Sequence, residues 1–222
     1  MEKYRIKVVF NSPVLLGSGE GWGSVIDNDI VFDDLGLPYF PARRLKGMLK
    51  ESAQEVLEML SLSGLNTFSN NTFNQAFGES GEITGGILVF DNLYLPDYPA
   101  TRAWCEWACA NLGEMFSTEM IIDTFTEIKT QTAIDKDGTA SDNSLRRMRV
   151  LKKGITFSGD VILKKADQEI IKLLALSCLN LRHTGTMRNK GYGEATFALM
   201  QGDDSIARNV SQVVLAELRE VV

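Results

Sequence analysis

Twice along the chain, a stretch with two-residue alternation leads into a stretch with helical spacing and then into another extended stretch. That order restricts the possible folds more than any other feature. Residues 4–10 (YRIKVVF) place Tyr4, Ile6, Val8 and Phe10 on one face of a strand. Residues 42–61 carry Leu45, Met48, Leu49, Ala53, Val56, Leu57 and Leu60 along one side of a long amphipathic helix, with Pro41 suited to its first turn. Residues 85–95 (GGILVFDNLYL) read as a strand or hairpin arm and close the first unit. The second unit runs from a strand at 155–163, through a helix at 168–182 capped by Asp167, to a strand at 193–200. The order is that of an α+β, ferredoxin-like (RRM-like) βαββαβ core.

The remaining segments decorate this core. Residues 17–24 (GSGEGWGS) form a glycine-rich loop, and 25–34 (VIDNDIVFDD) an irregular extended segment. Residues 62–81 are polar and loop-like apart from the patch FNQAFG. An inserted helix is expected over 99–115, and a C-terminal helix over 206–220. Residues 126–153 are polar and basic, contain the turn signal DKDG, and read as a long reaching arm. The expected organisation is one domain over 1–222, with an insertion at 96–125 and a thumb-like hairpin at 126–153.

Composition narrows the function classes. No apolar run reaches the ~18 residues that a membrane span needs, and MEKYRIKVVF lacks a signal core, so a cytoplasmic protein with no membrane partner is expected. Three cysteines and one histidine are too few for a zinc site, and the cysteines read as buried apolar filler. The net charge of −6 argues mildly against nucleic-acid binding, but patches matter more than sums. The cations do cluster: at Arg43, Arg44, Lys46 and Lys50; at Arg146, Arg147, Arg149, Lys152 and Lys153; and at Arg182, Arg188 and Lys190.

Four motifs bear on chemistry. In LGLPYFPARRLKGMLKESA (35–53), Arg43, Arg44 and Lys46 sit on the first turns of a helix, where free N–H groups and the dipole favour a phosphate; the same residues would also suit a solvated basic face. In TGTMRNKGYGEATF (184–197), Gly185, Gly191 and Gly193 allow close backbone approach among Arg188 and Lys190, and Tyr192 could stack on a base; a plain turn with a core aromatic is the alternative. The arm beginning at Lys129 is the third motif. The fourth is VIDNDIVFDD, whose Asp27, Asp29, Asp33 and Asp34 could hold Mg²⁺ or assist a ribose hydroxyl, although Asp33 and Asp34 read better as turn caps. His183, the sole histidine, is placed for acid–base chemistry or for RNA contact.

These motifs, in this order, resemble the RAMP superfamily of CRISPR-associated proteins, and in particular the single-domain backbone subunits of type III effector complexes. GLPYFPARRLKG (36–47) is similar to the family's G-x-P-Y-I-P-G-S-S-L-K-G segment. AFG (76–78) with VFDNLYL (89–95), TQTAIDKDGTA (130–140) with GITFSGDV, and GTMRNKGYGEA (185–195) match three further family segments in turn. Ala42, Arg43 and Arg44 in place of small residues, and Arg182-His183-Thr184 before the glycine loop, resemble subtype III-D subunits and the larger subunit that holds the guide's 5′ end.

The resemblance implies an RNA-binding subunit whose partners are guide (CRISPR) RNA, target RNA and other effector-complex subunits. It implies RNA contacts from Arg43, Arg44, Lys46, Lys50, Arg146, Arg147, Arg149, His183, Gly185, Arg188, Asn189, Lys190, Gly191, Tyr192 and Gly193. VIDNDIV is similar to the family's G-I-D-N-P-V-I, which puts Asp27 at the catalytic position for cutting target RNA with Mg²⁺ or another divalent cation; Asp29 replaces a proline. Two alternatives stand beside this reading. One is a non-catalytic scaffold or guide 5′-end cap. The other is a metal-independent guide-precursor endoribonuclease using His183.

Overall fold

A computed structural model describes residues 1–17, 26–65, 67–69, 71–79, 85–133, 136–139, 144–202 and 207–221. Strand β1 (Glu2–Phe10) leads to helix α1 (Ala42–Leu62), a short helix α2 (Thr72–Phe77) and strand β2 (Leu88–Phe90). The insertion holds α3 (Tyr98–Asn111) and α4 (Thr118–Phe125), and α4 runs directly into the hairpin β3 (Thr126–Gln131) and β4 (Arg146–Leu151). Strand β5 (Thr156–Leu163), helix α5 (Gln168–Asn180) and strand β6 (Ala195–Gln201) make the second unit, followed by β7 (Arg208–Asn209) and α6 (Val210–Val221).

The main sheet has the order β2-β5-β1-β6-β7, and each of its pairings is antiparallel. Its first four strands give the ferredoxin-like arrangement expected from the two strand–helix–strand units. The alternation in β1 is realised as read, since Tyr4, Ile6, Val8 and Phe10 are all buried. Val8 lies opposite Phe157 on one side and Phe197 on the other, so one rung of three strands sends apolar side chains into the same core.

Helices α1 and α5 pack together over that core. α1 turns in Leu45, Leu49, Ala53 and Val56. Small residues let the two helices meet, with Ser52 Oγ donating to the Ser177 carbonyl at 2.9 Å. Asp167 caps α5 as expected, accepting from Glu169 N and Ile170 N. α5 is buried nearly all round because α6 covers a further side. It stops at Asn180, where Leu181 turns extended (φ −75°, ψ 94°) and leads into the glycine loop.

Two segments differ from the sequence reading. FNQAFG folds as α2, with Phe77 stacked on Phe90 at 6.3 Å. The insertion is two helices instead of one, because Gly113 (φ 55°) breaks the first and Ser117 starts the second by accepting from Met120 N. Most of the expected glycine-rich loop, 18–24, and Asp135 of the DKDG turn lie outside the described residues. Among the described residues no helix is long and apolar enough to cross a membrane.

The three thiols are free, with Cys105 and Cys178 buried and Cys109 half-buried. Burial pushes the Cys178 thiol up to about 12 and raises that of Cys105 as well. At pH 8 both are therefore protonated and shielded. An Ellman titration of the native protein is expected to show one reacting thiol, Cys109, with the other two appearing only in denaturant.

Candidate nucleic-acid interface

Residues 13–17 (PVLLG) lie at the centre of the site, and Val14, Leu15 and Leu16 are buried. Their backbone groups must find partners, and the partners come from four different elements. The Pro13 carbonyl accepts from Gly193 N at 2.8 Å. Val14 exchanges both hydrogen bonds with Leu151 at the end of β4. The Leu15 carbonyl accepts from Thr186 N at 3.2 Å. Gly17 bridges to Ile30, and its carbonyl accepts from the Arg44 guanidinium of α1. One short strip thus brings together the glycine loop, the hairpin arm, the aspartate segment and the N-terminus of α1.

The glycine loop is cinched at its base, where Thr184 N donates to the Gly193 carbonyl and Ala195 N to the Arg182 carbonyl, both at 2.8 Å. Its three glycines have distinct reasons. A Cβ on Gly193 (φ 78°) would strike the Thr184 carbonyl, and one on Gly185 (φ 78°) would sit 2.5 Å from the Leu15 carbonyl. Both are therefore required by the loop's contact with its own protein. Gly191 (φ 80°) faces open space, which leaves it the one of the three that a ligand could approach. A 3₁₀ turn at Arg188–Lys190 presents Arg188, Asn189 and Lys190 to solvent. Tyr192, expected as a stacking platform, is half-buried and packed against the core.

At the start of α1, Arg43 is exposed and Lys46 half-buried. The helix terminus is not a vacant anion seat, because Asn92 Oδ1 accepts from Ala42 N at 2.8 Å. No local motif marked Asn92 for this role; it comes from 50 residues away, as Leu93 pairs with Phe40. Lys50, expected on RNA, instead donates from Nζ to the Gly78 carbonyl at 2.8 Å and lies over the Phe73 ring. It ties α1 to α2.

The aspartate segment runs beside β4, with Asn28 bridged in parallel to Met148 and Arg149 N donating to the Asn28 carbonyl. Asp27 is exposed beside β4, near the outer end of the β3–β4 ladder, where Arg147 faces Thr130. Its Oδ2 accepts from Arg147 N at 2.7 Å while its own N–H donates to the Arg147 carbonyl at 2.9 Å, which fixes the carboxylate. Arg146 and Arg147 are exposed beside it on β4. Arg149 departs from its expected place on RNA. It is only 6% exposed, paired with Asp29 Oδ2 at 3.3 Å and set over the Phe32 ring. Asp29 therefore holds a buried cation under the arm.

Asp33 and Asp34 are structural. Asp33 Oδ1 accepts from Leu35 N and Leu37 N, and its Oδ2 from Tyr98 and Arg102. Arg102 also takes Asp34, holding that carboxyl below its ordinary range. Among the described residues, no group of three or more His, Cys, Asp or Glu could hold a metal. His183 is exposed and opens, with Arg182 and Arg188, onto a cleft of about 270 Å³ whose far wall carries Glu51 and Glu55 of α1.

Asp29→Asn is expected to destabilise the protein by about 3 kcal/mol, because it removes the charge paired with a buried guanidinium. Asp27→Asn, at an exposed carboxylate, is expected to stay within about 0.5 kcal/mol. Urea unfolding of the two variants checks both values.

Comparison with known proteins follows the fold. The chain is similar to a subunit chain in "Cryo-EM structure of the Type III-B Cmr-beta bound to cognate target RNA", with 13% identity and a TM-score of 0.63 over 90% of this chain and 97% of that one. It is similar in the same way to one in "Type III-B Cmr-beta Cryo-EM structure of the Apo state", with 13% identity and a TM-score of 0.64 over 92% and 99%. At that identity the likeness establishes the fold. No curated protein matches the chain. The family model of the RAMP superfamily matches residues 7–196, from within β1 to the start of the strand after the glycine loop, and the chain belongs to that superfamily.

Proposed function

We propose that this protein is a CRISPR RNA-binding subunit of a type III effector ribonucleoprotein, and that it cleaves guide-complementary target RNA at Asp27. The observation that carries this reading is the placement of Asp27. It is an exposed carboxylate locked by Arg147 N–H near the outer end of the basic β3–β4 ladder, on a RAMP fold. The likeness to chains of effector complexes, one of them solved with cognate target RNA, supports the same assignment.

In this reading Arg188, Asn189, Lys190 and Arg43 take phosphates of the guide, and Gly191 lets its backbone come close. Arg146 and Arg147 reach the guide–target duplex from the arm. Asp27 Oδ1, the oxygen that Arg147 N–H leaves open, orients the ribose 2′-hydroxyl or helps to hold a divalent ion. Such an ion, typically bound by one or two carboxylates together with substrate phosphates, would neutralise charge on the reacting phosphate. The 2′-oxygen forms the new bond to phosphorus in line, its proton passes to solvent or the carboxylate, the P–O5′ bond breaks, and the departing 5′-oxygen takes a proton from solvent. The products are a 2′,3′-cyclic phosphate and a 5′-hydroxyl.

A second reading has its own observation, the exposed His183 beside Arg182 and Arg188. There His183 would act as the acid or base in metal-independent processing of a guide precursor.

Cleavage of a guide-complementary RNA by the assembled complex, with Mg²⁺ and with EDTA, separates the readings. Regular Mg²⁺-dependent cuts are expected, falling at least 100-fold in Asp27→Ala while RNA binding persists. Cuts insensitive to EDTA and lost in His183→Ala would favour processing. Unchanged or absent cuts in both variants would leave a guide-holding scaffold.

A further inference from the structure

The insertion exposes an apolar helix face that the RNA reading does not use. Ala100, Ala103, Trp104, Trp107 and Ala110 all lie on the outer side of α3, while Cys105 and Ala108 point inward. Trp104 and Trp107 are each 54% exposed. Trp104 meets Phe116 edge-on at 5.0 Å, and Met115 (75% exposed) and Met120 (49%) extend the surface towards α4. Two half-exposed tryptophans one helical turn apart, with alanines between and beside them, form ridges and shallow grooves of the kind a second helix packs into.

The charge around this face indicates what covers it. Residues 96–125 contain five carboxylates, no lysine and one arginine. That arginine, Arg102, is bound to Asp33, Asp34 and Glu106. With Asp33 and Asp34 included, this corner carries the whole formal charge of −6. Exposed Asp97, Glu114, Glu119 and Asp123 are left around the apolar face. Such a rim repels phosphate, so the tryptophans are not a stacking platform for nucleic acid.

We propose that the outer face of α3 docks an amphipathic helix of another protein, with an apolar stripe seated on Trp104 and Trp107 and Lys or Arg along its edges. Trp107 is the central contact, since Trp104 also braces Phe116.

The test uses the full chain and two synthetic 18-residue helical peptides, one of leucine and lysine and one of leucine and glutamate. The leucine–lysine peptide is expected to bind and to shift tryptophan emission to the blue. The leucine–glutamate peptide is expected not to bind. Trp107→Ser is expected to weaken binding at least tenfold with its melting temperature unchanged. Equal binding or no binding of the two peptides, binding that ignores Trp107→Ser, or a Trp107-dependent self-association in sedimentation would each overturn the proposal. Quenching by single-stranded RNA that is lost in Trp107→Ser would overturn it in favour of nucleic acid.

Discussion

The backbone pairing of Pro13–Gly17 is the constraint on which the site depends. Four elements far apart in the chain meet there because this strip offers them complementary hydrogen bonds where its side chains are buried. Thr186 and Gly193 of the glycine loop, Leu151 of the arm and Arg44 of α1 all bond to it. Burial gives the arrangement its force. A hydrogen bond at the surface is worth little net, whereas an unmet carbonyl beside Val14 or Leu15 would cost about 1–3 kcal/mol. Replacing the strip's neighbours therefore moves loops and arm together.

The core was legible in the sequence because burial and periodicity are the same fact seen twice. Tyr4, Ile6, Val8 and Phe10 alternate because one face of β1 is covered, and Leu45, Leu49, Ala53 and Val56 recur because α1 lies on that face. The site was less legible, since a cation's type does not reveal its partner. Arg146 and Arg149 are three residues apart in one strand, yet Arg146 faces solvent and Arg149 is buried against Asp29. Alternation does not separate them, because β4 is exposed at 146–147 and buried on both faces from 148 to 151, so burial follows position along the strand. Lys50 was misread for the same reason, because Gly78 lies in a turn whose position depends on α2. Residues 13–16 have no regular period and so carry no strand signal, and Gly17 reads as loop; their pairing is entirely long-range.

The arm and the insertion form one mechanical unit. α4 passes into β3 without a linker, and Thr126 Oγ1 bonds back to the Ile122 carbonyl. Lys152, just beyond β4, donates from Nζ to the carbonyls of Asp123 and Thr124. This puts a cation at the negative end of the α4 dipole and closes the base of the hairpin. On its other side α4 rests on Gly36, where a Cβ would meet Ile122 and Thr118. A rotation of the insertion thus reaches Asp27 by two routes: through β3 to β4 and Arg147, and through the Asp33–Leu37 turn to the segment that carries Asp27.

The proposed RNA binding must be reconciled with a net charge of −6. Had its carboxylates been spread evenly, the exposed Arg188, Lys190, Arg146 and Arg147 would face a repulsive average within one Debye length of about 8 Å. They are not spread evenly. The surplus sits on the insertion and its Asp33–Asp34 seat, leaving the rest of the chain neutral overall. Local cations can then set the potential over the glycine loop and arm. The same segregation gives the insertion a surface that repels nucleic acid and attracts basic protein. Acidic composition and RNA affinity are therefore compatible here, because the two signs of charge occupy different elements joined by one rigid root.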